Sequence, residues 1–286
     1  MNVILLPKAD FAVHTSADGK SHHTASITEL NQLAHIKNVL KRGINDPIKI
    51  GQLGGNLGVA RIAHMTDTTI TLDKVTLTQP PPPKLGVSVI LALPRPKVLR
   101  RLIIDMTALG VNDIILVNSH RSQKSYWQSP LLKRVPEFIQ EGLQQAVDSI
   151  APNVYFKKRL RPFVEDDLSG MIAQFNGQSG HQCLFKSSQL GKALPTQMSS
   201  LVTRRFYPTA MIAHPYADNE LVNLLVSLHT HDNALKPYVL AIGAEGGWTD
   251  FEVALFVRYG FVAMRHGQRI LRTEAVVNGI LGSFIH

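Results

Sequence analysis

Two glycine-bearing loops, each leaving an apolar run and each opening a helix, lie within the last fifty residues of this 286-residue chain. The first follows the run Tyr238 to Ile242 and reads Gly243-Ala244-Glu245-Gly246-Gly247. Thr249 and Glu252 come next at the spacing of a capping box, in which hydroxyl and carboxylate each satisfy a free amide of a helix's first turn. Tyr259-Gly260 closes that helix, and Phe261 to Met264 reads as a second short buried strand. The loop Arg265 to Arg272 follows, and Thr273-Glu274 opens the terminal helix. Two successive units of this kind predict an open parallel sheet with both loops at its carboxyl edge, where such sheets bind ligands.

The loops do not spell a common nucleotide fingerprint. Gly243 to Gly247 lacks the GxGxxG order, and no acidic residue follows at the expected distance. No Lys-Ser/Thr pair follows either, so the phosphate loop GxxxxGK[ST] is absent.

Upstream, the chain divides at Gln79-Pro80-Pro81-Pro82-Pro83-Lys84, whose prolines fix φ and lack amide donors and so predict a stiff, extended spacer. Residues 1–78 read as mostly β, with a helix over Ile27 to Arg42 that turns His35-Ile36 and Val39-Leu40 to one side. Pro47 to Gly51, Leu57 to Ala63 and Thr68 to Leu77 are strands, and the glycines of Gly51 to Gly58 supply the positive φ angles of a hairpin. A small antiparallel barrel is the expected result.

Residues 85–286 alternate strand and helix. Val87 to Leu93, Asp113 to Val117, Val154 to Phe156 and Thr209 to Ala213 are strands. Pro96 to Leu109, Leu131 to Ile150 and Leu221 to Leu228 are helices, and the acidic run Glu165-Asp166-Asp167 suits the first turn of another. Asn176 to Tyr207 reads as a long connection.

A formal charge of +9 favours a polyanionic partner, although a merely soluble basic protein carries the same charge. Three groups of cations are candidates for phosphate contact: Lys37, Lys41 and Arg42; Arg121 and Lys124; and Lys157, Lys158, Arg159 and Arg161. A solvated surface explains each group equally well. Around Lys124, the neighbours Tyr126 and Trp127 are either a base-stacking surface or buried anchors. The lone Cys183 excludes an intrachain disulfide and a cysteine-rich zinc site. His229-Thr230-His231-Asp232 has ligand types without a distant third ligand, so no metal is expected. The first residues are broken by Pro7 and Asp10, and no run of about eighteen apolar residues occurs, which predicts a cytoplasmic protein.

Ile242-Gly243-Ala244-Glu245-Gly246-Gly247 resembles the sequence IGPEGG. Twenty residues on, Gly267-Gln268-Arg269-Ile270-Leu271-Arg272-Thr273-Glu274-Ala275 resembles GxRILRTETA. Together they are the signature of the RsmE-type ribosomal RNA methyltransferases of the SPOUT class. His35 to Lys41 resembles that family's HLxxVLR helix, and Ala213-His214-Pro215 its strand end.

The resemblance implies an α/β fold. A parallel-sheet domain with a deep trefoil knot would span residues 85–286, beyond a PUA-like RNA-binding barrel over 1–78. It further implies a homodimer, S-adenosylmethionine as methyl donor, and N3 of a uridine in 16S ribosomal RNA as acceptor. Another RNA site, in transfer or ribosomal RNA, is an alternative target, and a non-catalytic assembly factor an alternative role. Carried over residue by residue, the donor site would comprise Ala213, His214, Ile242, Gly243, Glu245, Gly246 and Gly247, with Met264, Gly267, Arg269, Ile270 and Leu271. Arg272 and Glu274 would be catalytic. The chain departs from the family at several positions: Met1 to Leu6 has no arginine, Asp148 stands where the main branch has one, and Ala244 and His266 replace proline and leucine.

Overall fold

The computed structural model describes residues 2–15, 21–168, 210–224 and 239–285. The connection 176–207, Cys183, the second half of the helix expected at 221–228, and His229 to Asp232 lie outside the described residues. Two compact units emerge: Met1–Pro83 with Pro136–Ala151, and Lys84–Val135 with Pro152–His286.

The first unit is a curled, mixed sheet of six strands: β1 (Ile4–Leu6), β2 (Phe11–Thr15), β3 (Ser21–Ile27), β4 (Pro47–Gln52), β5 (Leu57–Met65) and β6 (Ile70–Gln79). Their order is β1-β4-β5-β6-β3-β2, antiparallel except for β1 beside β4. Alternating apolar residues, among them Ile48, Ile50, Ala60, Ile62, Ile70 and Leu72, turn to one core. In the β4–β5 hairpin only Gly54 has the expected positive φ (+75°). Gly58 serves packing instead, because a Cβ there would run into the Thr76 carbonyl.

The helix expected at 27–42 is shorter and irregular. Ile27 ends β3, and α1 covers Leu30–Ala34, its first amides bonded to the Glu29 carboxylate. The chain then widens into a π-helical turn, His35–Val39, which rotates the apolar face. Ile36 is buried, whereas Val39 is 64% exposed rather than on the same inward side.

The outer face of β5 and β6 carries a bidentate pair, Arg61 Nε to Asp73 Oδ1 at 2.9 Å and Nη2 to Oδ2 at 2.6 Å. That guanidinium holds the Asp73 carboxyl below its ordinary range. A depressed carboxylate pKa stabilises the fold above the unfolded pKa, and the contribution disappears as pH falls through the folded one. Asp73→Asn should therefore lower stability at neutral pH, and the difference from wild type should vanish in acid, as read by urea unfolding followed by circular dichroism at each pH; the loss is modest because the pair is partly exposed.

Residues 136–151 join this unit because their apolar side turns to it. In α3 (Val135–Ala146), Leu143 and Ile139 pack with Val3, Leu5 and Leu57. Asn2 N–H donates to Gln144 O at 2.9 Å, and Gly54 N–H to Ser149 O at 2.8 Å. The preceding residues Pro130–Arg134 form a 3₁₀ turn rather than the start of the α-helix expected from 131.

The second unit is an all-parallel sheet of seven strands: β7 (Ser88–Ala92), β8 (Asp113–Val117), β9 (Asn153–Lys157), β10 (Ala210–Ala213), β11 (Asn219–Glu220), β12 (Val239–Ile242) and β13 (Val262–Arg265). Their order is β11-β13-β10-β12-β7-β8-β9. Every residue of β7, β8 and β12 is buried, as continuous apolar runs predict for strands covered on both faces. Helices follow strands, among them α2 (Pro96–Ala108), α4 (Leu160–Pro162, continuing as a π-helical turn Phe163–Leu168), α5 (Asp250–Arg258) and α6 (Thr273–Gly282). β10 lies between the two strands that follow β11 in sequence, β12 on one side and β13 on the other, so the chain crosses back over it. That reversal opens a crevice outside the carboxyl ends of three neighbouring strands, and there the glycine loops sit.

Candidate active site at the sheet's carboxyl edge

The loop after β12 is built by one buried carboxylate. Glu252, 4% exposed, accepts from Thr249 N–H at 2.8 Å and from its hydroxyl at 3.0 Å, while Thr249 Oγ1 accepts from Glu252 N–H. This is the capping box legible in the sequence. Its second oxygen accepts from His120 N–H at 2.8 Å, in the loop after β8. Arg121 returns the connection, donating from Nη1 to Gly246 O at 2.7 Å. A third tie comes from Glu245, whose carboxylate accepts from Arg95 N–H at 3.1 Å, just before α2.

Inside the loop the main chain closes on itself. A Cβ at Gly243 would lie 2.9 Å from Gly247 Cα and 3.1 Å from Trp248 N, so only glycine fits. Gly247 has φ +68° and Gly267 φ +74°, the left-handed region open to glycine at little cost. These turns face each other across a cavity of about 230 Å³.

Of the positions carried over from the resemblance, Ala213, His214 and Ile242 line this cavity with Gly243, Glu245, Gly246 and Gly247. Gly267, Arg269, Ile270 and Leu271 complete the opposite side. Met264 is not in the lining; it is buried, and its carbonyl accepts from His214 N–H at 2.9 Å. Arg272 and Glu274 are not in the lining either. Arg272 is the exposed N-cap of α6, and Glu274 lies 3.7 Å from Arg101 on α2. Buried Thr273, between them, does line the cavity.

The lining also holds residues that sequence reasoning assigned elsewhere or passed over. Arg121, read as an RNA contact, is one, and Tyr216 and Trp248 are others; His266, singled out in the sequence as a departure from the family, lines it too. His266 lies against α6 where Gly279 leaves room, since a Cβ there would stand 2.7 Å from its Nε2. Trp248 follows directly on the glycines, and its place before a capping box was the signal available. Its indole is 1% exposed and stacks edge-on with Phe256, itself edge-on with Phe261. Two buried nitrogens of this lining, Trp248 Nε1 and His214 Nδ1, have no hydrogen-bond partner among the described residues.

The basic groups are more committed than their sequence suggests. Lys37 donates to Thr66 O at 2.7 Å and lies 3.4 Å from Asp67. Lys41 and Arg42 are exposed, Lys41 with φ +50°. Lys124 opens a 3₁₀ turn, Lys124–Gln128, in which Trp127 Nε1 donates to Asn118 Oδ1 at 2.9 Å. Lys157 pairs with Asp167 at 2.8 Å and Arg161 with Glu165 at 2.8 Å, a contact that raises the Arg161 pKa. The acidic run thus neutralises these cations rather than only facing a helix dipole. Lys158 and Arg159 remain exposed. Among the described residues no cluster of three or more His, Cys, Asp or Glu could hold a metal ion, and no helix is long and apolar enough to cross a membrane.

Comparison with known proteins returns one family and a consistent set of folds. The model of the RNA methyltransferase domain family matches residues 81–192 and 178–281. Ribosomal RNA small subunit methyltransferase E of Treponema pallidum is 28% identical over 248 residues, 85% of this chain and 78% of that protein. The crystal structure of a ribosomal RNA small subunit methyltransferase E from Neisseria gonorrhoeae, bound to S-adenosyl methionine, superposes with a TM-score of 0.64 at 19% identity, covering 99% of this chain and 96% of that one. A putative methyltransferase from Legionella pneumophila, also with bound cofactor, gives 0.65 at 14% identity over the same shares. These structures share the fold, and the family match spans well over half of the sequence. The chain belongs to the RNA methyltransferase domain family, and the RsmE type that its two loops resemble is the one its relatives carry.

Proposed function

We propose that this protein transfers a methyl group from S-adenosylmethionine to 16S ribosomal RNA, at N3 of a uridine. The observation that carries the reading is the convergence of the two signature loops on one cavity at the carboxyl edge of the parallel sheet. The methyl donor fits the residues present: a tight main-chain turn at Gly243, which any Cβ would fill, flanks an apolar side formed by Ile270 and Leu271. Backbone amides and carbonyls there suit a purine edge without an acidic residue for the ribose. The Treponema relative's name specifies small-subunit ribosomal RNA, and the Neisseria structure contains the donor.

The bound donor supplies an activated methyl group on a sulfonium. The chain's part is to align it with the acceptor and to take a proton. Uridine N3 must lose its proton as the N–CH₃ bond forms, while the S–CH₃ bond breaks to leave the thioether. In this reading Glu274 accepts that proton, and Arg272 stabilises the negative charge on the base. Arg272 is the N-cap of α6 and Glu274 stands in its first turn, on either side of Thr273. The reading includes a PUA-like barrel over 1–78 that holds RNA backbone, a spacer at 79–84, and a deep trefoil knot within 85–286. It also includes a homodimer.

The test is mass spectrometry of nucleosides from 16S ribosomal RNA of a strain lacking the gene. The expected result is loss of one 3-methyluridine, restored by the wild-type gene. Persistence of every methyluridine would refute the substrate, and lost methylation at another RNA would redirect it.

A further inference from the structure

The cavity contains a feature that the signature loops do not account for. Trp248 is buried to 1% exposure within the core of the parallel sheet, among Ala241, Ala244 and Phe256, yet its indole N–H meets no acceptor among the described residues. His214, at the end of β10, has its main-chain N–H bonded to Met264 O while Nδ1 is buried and unpartnered. Both residues line the same cavity. A buried polar atom without a partner is costly, and two of them around one cavity point to a ligand that completes them.

Resting on the reading that this cavity takes S-adenosylmethionine, we infer that Trp248 Nε1 and His214 Nδ1 are side-chain contacts to the adenosine half of the donor and set the site's preference for it. The chemistry selects that half. A neutral indole N–H in an apolar wall suits an uncharged acceptor, a purine nitrogen or a ribose oxygen, whereas a buried carboxylate needs a cation beside it. The cations of the lining, Arg121 and Arg269, are both exposed. The amino-acid end of the donor therefore belongs at that open rim, and the adenosine inside. Trp248 donates to it, and His214 Nδ1 donates or accepts according to its tautomer.

The test is calorimetric titration of the full-length protein with S-adenosylmethionine and with 5′-methylthioadenosine, which keeps the adenosine and lacks the amino-acid group. In Trp248→benzothienylalanine, whose side chain keeps the two-ring outline without the N–H, affinity for both ligands should fall about tenfold. The melting temperature of the unliganded protein should stay that of the wild type, because no protein–protein bond is lost. His214→Phe should weaken both ligands similarly, and His214→Asn, with a polar atom near the position of Nδ1, should recover part of the loss. Unchanged affinities in these variants would overturn the inference, as would methylthioadenosine failing to compete on the wild type. A lower melting temperature with unchanged affinity would make Trp248 purely structural. If the wild type itself does not bind S-adenosylmethionine, the functional reading fails, and that result is distinct from the others.

Discussion

Gly243→Ala is expected to lower methyl-donor affinity and turnover by about a hundredfold, the scale on which a misplacement of about 1 Å acts. The added methyl has nowhere to go. It would stand 2.9 Å from Gly247 Cα and 3.0 Å from Gly247 C, and both are backbone atoms held by the Gly247 N–H to Ala244 O bond at 2.8 Å. Relief requires the whole turn to open, and that turn is one side of the cavity. Gly267→Ala makes the useful contrast. Nothing lies within 4 Å of its would-be Cβ, so the cost is only that of a non-glycine residue at φ +74°, about 1–2 kcal/mol. Isothermal titration with S-adenosylmethionine should rank the two variants in this order, with both folded by circular dichroism. A Gly243→Ala protein that binds like wild type would mean the loop is not the donor's wall.

Glu252→Ala should be the most destabilising single change at the site, by roughly 3–5 kcal/mol. Removing the carboxylate leaves Thr249 N–H and His120 N–H without their acceptor, each costing at most about 1–3 kcal/mol because both bonds are only partly buried, and it removes a helix cap as well. Glu252→Gln keeps one acceptor oxygen but turns an amide toward donors, so it should lie between. Urea unfolding gives the energies. The same variants carry a functional consequence, because the His120 bond ties the β8 loop to the helix start behind the glycine loop, beside the bond from Arg121 to Gly246 O. Donor affinity should therefore fall in Glu252→Gln by about tenfold even at temperatures where it is fully folded.

These two residues show what a sequence read alone can and cannot reach. The capping box is a local pattern, three residues apart, and Thr249 and Glu252 were legible as one. The bond from Glu252 to His120 spans 132 positions, and only the fold sets it. The strand–loop–helix units were legible for the same local reason: apolar runs broken by glycine have few ways to fold. Arg121 was assigned to RNA because a cation in a polar loop looks solvated, whereas the parallel sheet brings that loop beside Gly246. Lys157 and Arg161 looked like a free basic run until the following turn brought Asp167 and Glu165 back onto them. Residues 136–151 pack beside Val3 and Leu57 because an amphipathic helix declares that it has a partner but not which one. The π-helical turn at His35–Val39 left no mark in the periodicity, so exposed Val39 was placed on one face with Ile36, which is buried.

The central claim is that the two glycine turns near the carboxyl terminus form the pocket for the methyl donor, and a crystal structure with S-adenosylhomocysteine tests it most directly. The account predicts density for the adenosine between the Gly243–Gly247 turn and Ile270-Leu271, within hydrogen-bonding distance of main-chain atoms of both loops. Density for the ligand anywhere else on the chain, with that cavity occupied only by water, would contradict it.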